Sequence, residues 1–196
     1  MKKIAVLISG GGTDLQSIID AVESKEINGE IRLVISNKKD AYGLKRAEKH
    51  NIKAVFDNDE ESIINRLKNE QIDLVVLAGF LKILSSEFTR AFENRIINIH
   101  PSLIPSFCGK GYYGLKVHQA AVDYGVKISG ATVHFVDENA DTGPIIAQET
   151  VEVLPDDTAE SLQKRVLEVE HRILPMVVSK YCDDKIKVVE RKVFIR

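Results

Sequence analysis

Apolar positions along this chain follow two alternating rhythms. Brief β-branched-rich runs at Ile4–Ile8, Ile31–Ile35, Ala54–Phe56, Leu74–Ala78 and Ile96–Ile99 have the hydrophobicity of strands covered on both faces. Between them, Leu15, Ile18, Ile19 and Val22 fall at i, i+3, i+4 and i+7, which predicts an amphipathic helix. Leu44 with Ala47, and Ile63 and Ile64 with Leu67, mark two more. This alternation predicts an α/β fold, a doubly wound and mostly parallel twisted sheet with right-handed crossovers.

The rhythm changes after about residue 125. Ser129–Val136 and Ile145–Val153 read as longer, more polar strands joined by the loop Asp137–Pro144, an antiparallel extension of the sheet. A long helix should start near Thr158, with Asp157 and Glu160 as its capping box. Pro175 should break or kink that helix, because it lacks an N–H and clashes with the preceding turn. Val188–Ile195 alternates and reads as a terminal edge strand or a dimer contact. No linker, low-complexity tract or repeat interrupts the chain, so residues 1–196 are expected to form a single domain.

Composition changes this picture little. The chain is 44% apolar and 29% charged with a formal net charge of -2, which gives no basis for a nucleic-acid or anionic-membrane surface. Cys108 and Cys182 stand in unrelated contexts, as expected of a reducing, cytoplasmic compartment. The run Ile4–Ile8 is too short for a signal peptide or a membrane span and reads as a buried strand.

Two segments carry candidate chemistry. In Ile96-Ile97-Asn98-Ile99-His100-Pro101, Asn98 and His100 are two apart and leave a strand on the same face. An amide donor and a titratable imidazole would then address one point. Asp141, in Asp141-Thr142-Gly143-Pro144, would raise the His100 pKa if the loop brought it close. Donor, imidazole and orienting carboxylate suit acyl transfer through a tetrahedral intermediate.

The second segment is Ser9-Gly10-Gly11-Gly12-Thr13-Asp14-Leu15-Gln16, a glycine-rich turn from the first strand into the first helix. Thr13 can cap that helix with Gln16 completing a capping box, and the exposed N–H groups favour an anion such as a phosphate. An ordinary tight βα turn is the alternative. A dinucleotide fits less well: Leu15 replaces the third fingerprint glycine, and Ile35-Ser36-Asn37 lacks the acidic residue expected after the second strand.

These segments, with Val75-Val76-Leu77-Ala78-Gly79-Phe80-Leu81-Lys82-Ile83-Leu84 and the run from Gly130 to Ile146, resemble the phosphoribosylglycinamide formyltransferases. These are the folate-dependent enzymes of purine biosynthesis, and the resemblance runs through nearly the whole chain. It implies a Rossmann-like formyltransferase fold and transfer of a formyl group from the cosubstrate 10-formyltetrahydrofolate to glycinamide ribonucleotide, without a metal. Position by position, it implies a catalytic trio of Asn98, His100 and Asp141. Gly11, Gly12, Thr13, Asp14, Leu15 and Gln16 would hold the ribonucleotide phosphate, and Glu170 its ribose. Leu81, Lys82, Ile83 and Leu84, with Asn98 and the loop Asp137, Glu138, Asn139, Ala140 and Asp141, would line the folate pocket. Residues to about 100 would form the ribonucleotide half and residues from about 101 the folate and catalytic half. A monomer or homodimer acting on small molecules, without nucleic acid or membrane, is implied. One departure stands out: Phe56-Asp57-Asn58-Asp59-Glu60-Glu61-Ser62 lacks the Arg that members often carry ahead of the third helix.

In such a reaction Asn98 would donate to the developing oxyanion, and a protonated His100 would help protonate the leaving nitrogen. Cys108, on a glycine-flanked loop with Tyr112 and Tyr113, has no partner base, and the loop is expected to cover the ribonucleotide. His134 is expected to be a hydrogen-bonded core residue and His50 to be solvated, whereas His118 and His171 are weaker site candidates. The rival readings are a formyltetrahydrofolate hydrolase, a tRNA formyltransferase, and an inactive sugar-phosphate-binding module. The first two would be expected to carry added domains.

Overall fold

A computed structural model describes all 196 residues. The first half is strand–helix alternation: β1 (Lys2–Ile8), α1 (Thr13–Glu23), β2 (Gly29–Ser36), α2 (Tyr42–Lys49), β3 (Ala54–Phe56), α3 (Glu60–Asn69), β4 (Leu74–Leu77), α4 (Ser86–Ala91) and β5 (Ile96–His100). The second half adds α5 (Leu115–Tyr124), β6 (Ile128–Phe135), β7 (Ile145–Glu152), α6 (Ala159–Cys182), β8 (Ile186–Val189) and β9 (Lys192–Ile195). Seven strands form one sheet in the order β3-β2-β1-β4-β5-β6-β7. Pairing is parallel from β3 to β5 and antiparallel at β6 and β7.

Alternation along β1 explains the two core layers. Ile4, Val6 and Ile8 face the larger layer with Leu15 and Ile18 of α1 and Val166, Ile173 and Val177 of α6. Ala5 and Leu7 face the other, with Ile63 and Leu67 of α3 and Phe88 of α4. The sheet is therefore covered on both sides, as its unbroken apolar strands require. The strand order reverses between β1 and β4, which opens a crevice at the carboxyl ends of the strands. Ser9 ties its own loop to two others there: its N–H donates to the Gly79 carbonyl (3.1 Å), and its hydroxyl donates to Asn37 Oδ1 (2.7 Å) and accepts from the Leu81 N–H (2.9 Å).

Three sequence expectations need correction. Helix α6 is capped by Thr158 and Ser161 in a reciprocal box, not by Asp157 and Glu160. Asp157 instead pairs with Arg165 and accepts from Ser161, and that pairing holds its carboxyl well below the usual range. Pro175 does not end α6, which runs on to Cys182. Leu174, Pro175, Val177 and Val178 are all buried, so packing on the sheet outweighs the missing N–H. The C-terminal alternation splits at Glu190, which has φ +54°, into the β8–β9 hairpin, a separate two-stranded sheet.

The turn into β7 is fixed by close backbone approach. A Cβ at Gly143 would lie 1.8 Å from the Phe135 carbonyl oxygen, while Gly11 has nothing within 4 Å. Backbone cannot yield as a side chain can, so Gly143→Ala is expected to cost about 2–4 kcal/mol, roughly 4–16 °C in Tm. Gly11→Ala should be nearly neutral by the same thermal unfolding. Equal melting temperatures for the two variants would refute this reading of the turn.

Candidate active site

Strand β5 ends in the crevice and delivers Asn98 and His100 together. In register, Asn98 lies between Leu77 of β4 and His134 of β6, and His100 lies opposite Thr132. Ile97 and Ile99 join the larger core layer, as the period of two requires. The loop after β6 then turns back and brings Asp141 to them. Asp141 sits at φ +57°, a left-handed conformation that short polar side chains tolerate better than most.

The contacts are specific. Asp141 Oδ2 accepts from the Gly109 N–H at 2.8 Å and lies 3.7 Å from His100 Nδ1. Its Oδ1 lies 3.6 Å from His134 Nε2 and 3.5 Å from Asn98 Nδ2. Asn98 Nδ2 also lies 3.1 Å from His134 Nε2, whose ring contacts the Phe135 carbonyl through Nδ1 at 2.7 Å. With the proton on Nδ1, His134 accepts from Asn98 and fixes which way the amide points. His100 Nε2 lies 3.0 Å from the Phe107 carbonyl, which places its N–H there and turns Nδ1 towards Asp141.

Burial decides the charges. His100 is 5% exposed, and desolvation pushes its ring below the ordinary histidine range, outweighing Asp141 and the Phe107 carbonyl. Asp141 does raise the His100 pKa as expected, but burial outweighs it, so the resting imidazole is neutral and not the protonated ring the sequence suggested. Burial pushes Asp141 up, but His134, His100 and the Gly109 N–H together hold it below the usual carboxylate range. Burial pushes the Cys108 thiol up, with Asp141 adding to it, and its Sγ–H donates to the Pro105 carbonyl at 3.3 Å, so a thiolate is disfavoured.

A cleft of about 540 Å³ runs past this cluster. Its wall includes Asn98, His100, Asp137, Asn139, Ala140 and Asp141, together with Leu81, Lys82, Ile83 and Leu84 from the loop after β4, Thr13 and Asp14 from the start of α1, and Glu170 of α6. Leu81 and Ile83 are exposed at its rim, and Lys82 Nζ donates to the Asn58 carbonyl at 3.3 Å in the segment that lacks an Arg. The cleft draws on both halves of the chain.

Five of the expected residues stand apart from it. Glu138 accepts from Arg90 Nε at 2.9 Å outside the cleft. Leu15 is fully buried in the core and offers only its backbone. Gly11 lies in a neighbouring groove with Lys38, Lys39 and Tyr42, and Gln16 in a polar groove between α1 and α6. Gly12 itself caps α1 at φ +70°, with no side-chain cap, so Thr13 is not the N-cap and no capping box forms with Gln16. A Cβ at Gly12 would meet Gly43 Cα at 2.8 Å, and Arg46 Nε donates to the Gly11 carbonyl at 2.8 Å. The loop is held against α2 by these contacts. The N–H groups of Thr13, Asp14 and Leu15 have no acceptor in the protein, as at any helix start.

Asp14 and Glu170 form a buried carboxyl pair, 8% and 7% exposed. Burial pushes Asp14 up to about 6, partly offset by its bond with Glu170, and burial with the Asp14 charge pushes Glu170 well above the carboxylate range. His171 Nε2 approaches Asp14 Oδ1 at 3.6 Å. His50, expected to be solvated, is partly exposed and also pairs with Glu23 at 2.6 Å and contacts Gln16 at 3.2 Å. His134 is buried as expected, yet it also lines the cleft; its place opposite Asn98 was visible only through strand register. No group of three or more His, Cys, Asp or Glu is clustered as metal ligands.

Known proteins share this arrangement of chain. The formyl transferase family model matches residues 2–178. A phosphoribosylglycinamide formyltransferase of Haemophilus influenzae is 43% identical over 204 residues, covering 100% of this chain and 94% of its own. The chloroplastic enzyme of Vigna unguiculata is 43% identical over 194 residues, and the match spans 94% of this chain but only 62% of the relative. A crystal structure of glycinamide ribonucleotide transformylase 1 from Symbiobacterium toebii has a TM-score of 0.94 and 40% identity, covering 100% of this chain and 94% of that one. With a family match over nearly its whole length, and with Asn98, His100 and Asp141 gathered on one cleft, the chain belongs to the formyl transferase family.

Proposed function

We propose that this protein transfers the formyl group of 10-formyltetrahydrofolate to the glycyl amine of glycinamide ribonucleotide, a step of purine biosynthesis. The observation that carries this reading is the meeting of Asn98, His100 and Asp141 on a cleft whose wall also includes an apolar rim and a helix start. The formylfolate lies against Leu81–Leu84 and the 137–141 loop. The ribonucleotide phosphate takes the free N–H groups at the start of α1, and Glu170 accepts from the ribose hydroxyls.

The amine attacks the formyl carbon as a free base, and charge develops on the formyl oxygen. Asn98 Nδ2 carries two hydrogens, one directed to His134 and one on a long 3.5 Å contact with Asp141 Oδ1, which it exchanges for that oxygen. Neutral His100 takes the amine's proton at Nδ1, where Asp141 stabilises the imidazolium. The same proton then passes to the folate nitrogen as the C–N bond breaks, so no proton is gained or lost overall. Holding two substrates in one cleft supplies the remaining advantage.

Isotopic labelling tests the reaction itself. Label in the formyl carbon of the folate should appear in the ribonucleotide with one-to-one loss from the donor. Label released as free formate instead would refute transfer.

The buried carboxyl pair gives a separate prediction. Asp14 keeps its proton to a higher pH folded than unfolded, so the native state binds more protons between about pH 4 and 6, and stability falls as pH rises through that window. Asp14→Asn removes the penalty. Its Tm should exceed that of the wild type by about 4 °C at pH 8, with the gap shrinking towards pH 5. A gap that widens on acidification would contradict the raised carboxyl pKa.

A further inference from the structure

His118 is the one histidine at the cleft for which neither the fold nor the chemistry above supplies a partner. It lies on the inward face of α5 between Val117 and Ala121, and it is 2% exposed. Its Nδ1 is sealed from solvent with no hydrogen-bond partner. It is nevertheless one of the residues lining the cleft, a wall it shares with His100 and with Gln163 and Glu170 of α6. Nε2 is not sealed in and makes no bond within the protein, which leaves it facing the cleft. Buried polar groups are nearly always paired, so a ring with an idle buried nitrogen and an open one at a ligand cleft points to a partner supplied by the ligand.

We propose that His118 is a substrate-binding residue, donating its Nε2–H to an oxygen of the amine-bearing ribonucleotide. The proposal rests on the reading of this cleft as the ribonucleotide site. Tautomer and charge both favour a donor. An unpaired buried N–H is rarer than an unpaired acceptor, so the neutral ring keeps its proton on Nε2 and leaves a lone pair on Nδ1. Burial, with His100 as a like-charged neighbour when both are protonated, pushes the ring down to about 4, so it stays neutral near pH 7. A neutral imidazole donates without bringing a buried charge beside His100. The surrounding groups explain why an oxygen is the partner. Asp14 and Glu170 supply carboxyl groups at this end of the cleft, and His118 adds a fixed neutral donor to read an oxygen-rich sugar.

The test compares His118→Leu, which removes the donor, with His118→Gln, which can place an N–H near the same point. Ribonucleotide affinity is measured by calorimetry alongside KM for each substrate, kcat and the melting temperature of the free protein. His118→Leu should weaken ribonucleotide binding about 10- to 100-fold, the usual range for a ligand group left unpaired. The KM for formylfolate should stay within about threefold, and the free protein should melt no lower than wild type, because no internal bond is lost. His118→Gln should recover most of the ribonucleotide affinity. Ribonucleotide affinity within threefold of wild type in His118→Leu would overturn the proposal. So would a lowered melting temperature with both KM values raised alike, the mark of a structural role. Failure of the wild type to bind the ribonucleotide would instead sink the function proposed for the cleft, and His118's role with it.

Discussion

His100→Ala is expected to lower kcat about 10³-fold, within the range for removing a group that carries a proton in the transition state. The reasoning is positional. His100 has Nε2 tied to the Phe107 carbonyl at 3.0 Å and Nδ1 facing Asp141 at 3.7 Å; His134 shares this pattern, but Asn98 Nδ2 at 3.1 Å occupies its Nε2. Without it, the amine's proton must leave and return through water. The proposed placement puts the ribonucleotide phosphate at the start of α1 and the folate along Leu81–Leu84, away from this side chain, so both KM values should change little. Because the resting ring is neutral, wild-type activity should fall as pH drops through a His100 pKa below the ordinary histidine value. Steady-state kinetics on purified variant checks the first point, and a kcat within tenfold of wild type would remove His100 from the mechanism.

Asp141→Asn should lower kcat by about 10²- to 10³-fold for a different reason. Asn tolerates the φ of +57° and keeps the shape of the turn, so the loss is of charge and not of fold. The Gly109 N–H can still find an oxygen, although a carboxylate accepts more strongly. What disappears is the anion beside the imidazolium. Asp141 raises the His100 pKa against the effect of burial, so its neutralisation should move the acid limb of the rate profile to lower pH. Protonation of the glycyl amine contributes equally to both proteins and cancels in the comparison. A lower plateau with the acid limb shifted to lower pH is the expected signature. A lower plateau with the limb shifted to higher pH would contradict the role given to Asp141.

Much of this was legible in the sequence because it depends on local period. Unbroken apolar runs in the first half gave the parallel strands, and the two-residue spacing of Asn98 and His100 gave a shared face. The meeting of that face with Asp141 was an expectation from the resemblance, since forty intervening residues set no distance by themselves. What the sequence hid depends on packing. Gly12 caps α1 because the loop presses on Gly43, a contact with α2 that no local signal announces. Asp157 looked like a cap and is taken by Arg165, leaving Thr158 and Ser161 to form the box. Pro175 was expected to break or kink α6, and the helix does not break there because its buried face carries it through to Cys182. His134 needed the β5–β6 register to be seen beside Asn98. The sign of the His100 shift was missed for the same reason: proximity to Asp141 can be guessed from a motif, but the burial that outweighs it cannot.

The most direct test is the rate of formyl loss from 10-formyltetrahydrofolate, followed spectrophotometrically with and without glycinamide ribonucleotide. Deformylation that requires the ribonucleotide, and that falls about 10³-fold in His100→Ala, is the predicted result. Deformylation at the same rate without the ribonucleotide would make water the acceptor and contradict formyl transfer as the function of this cleft.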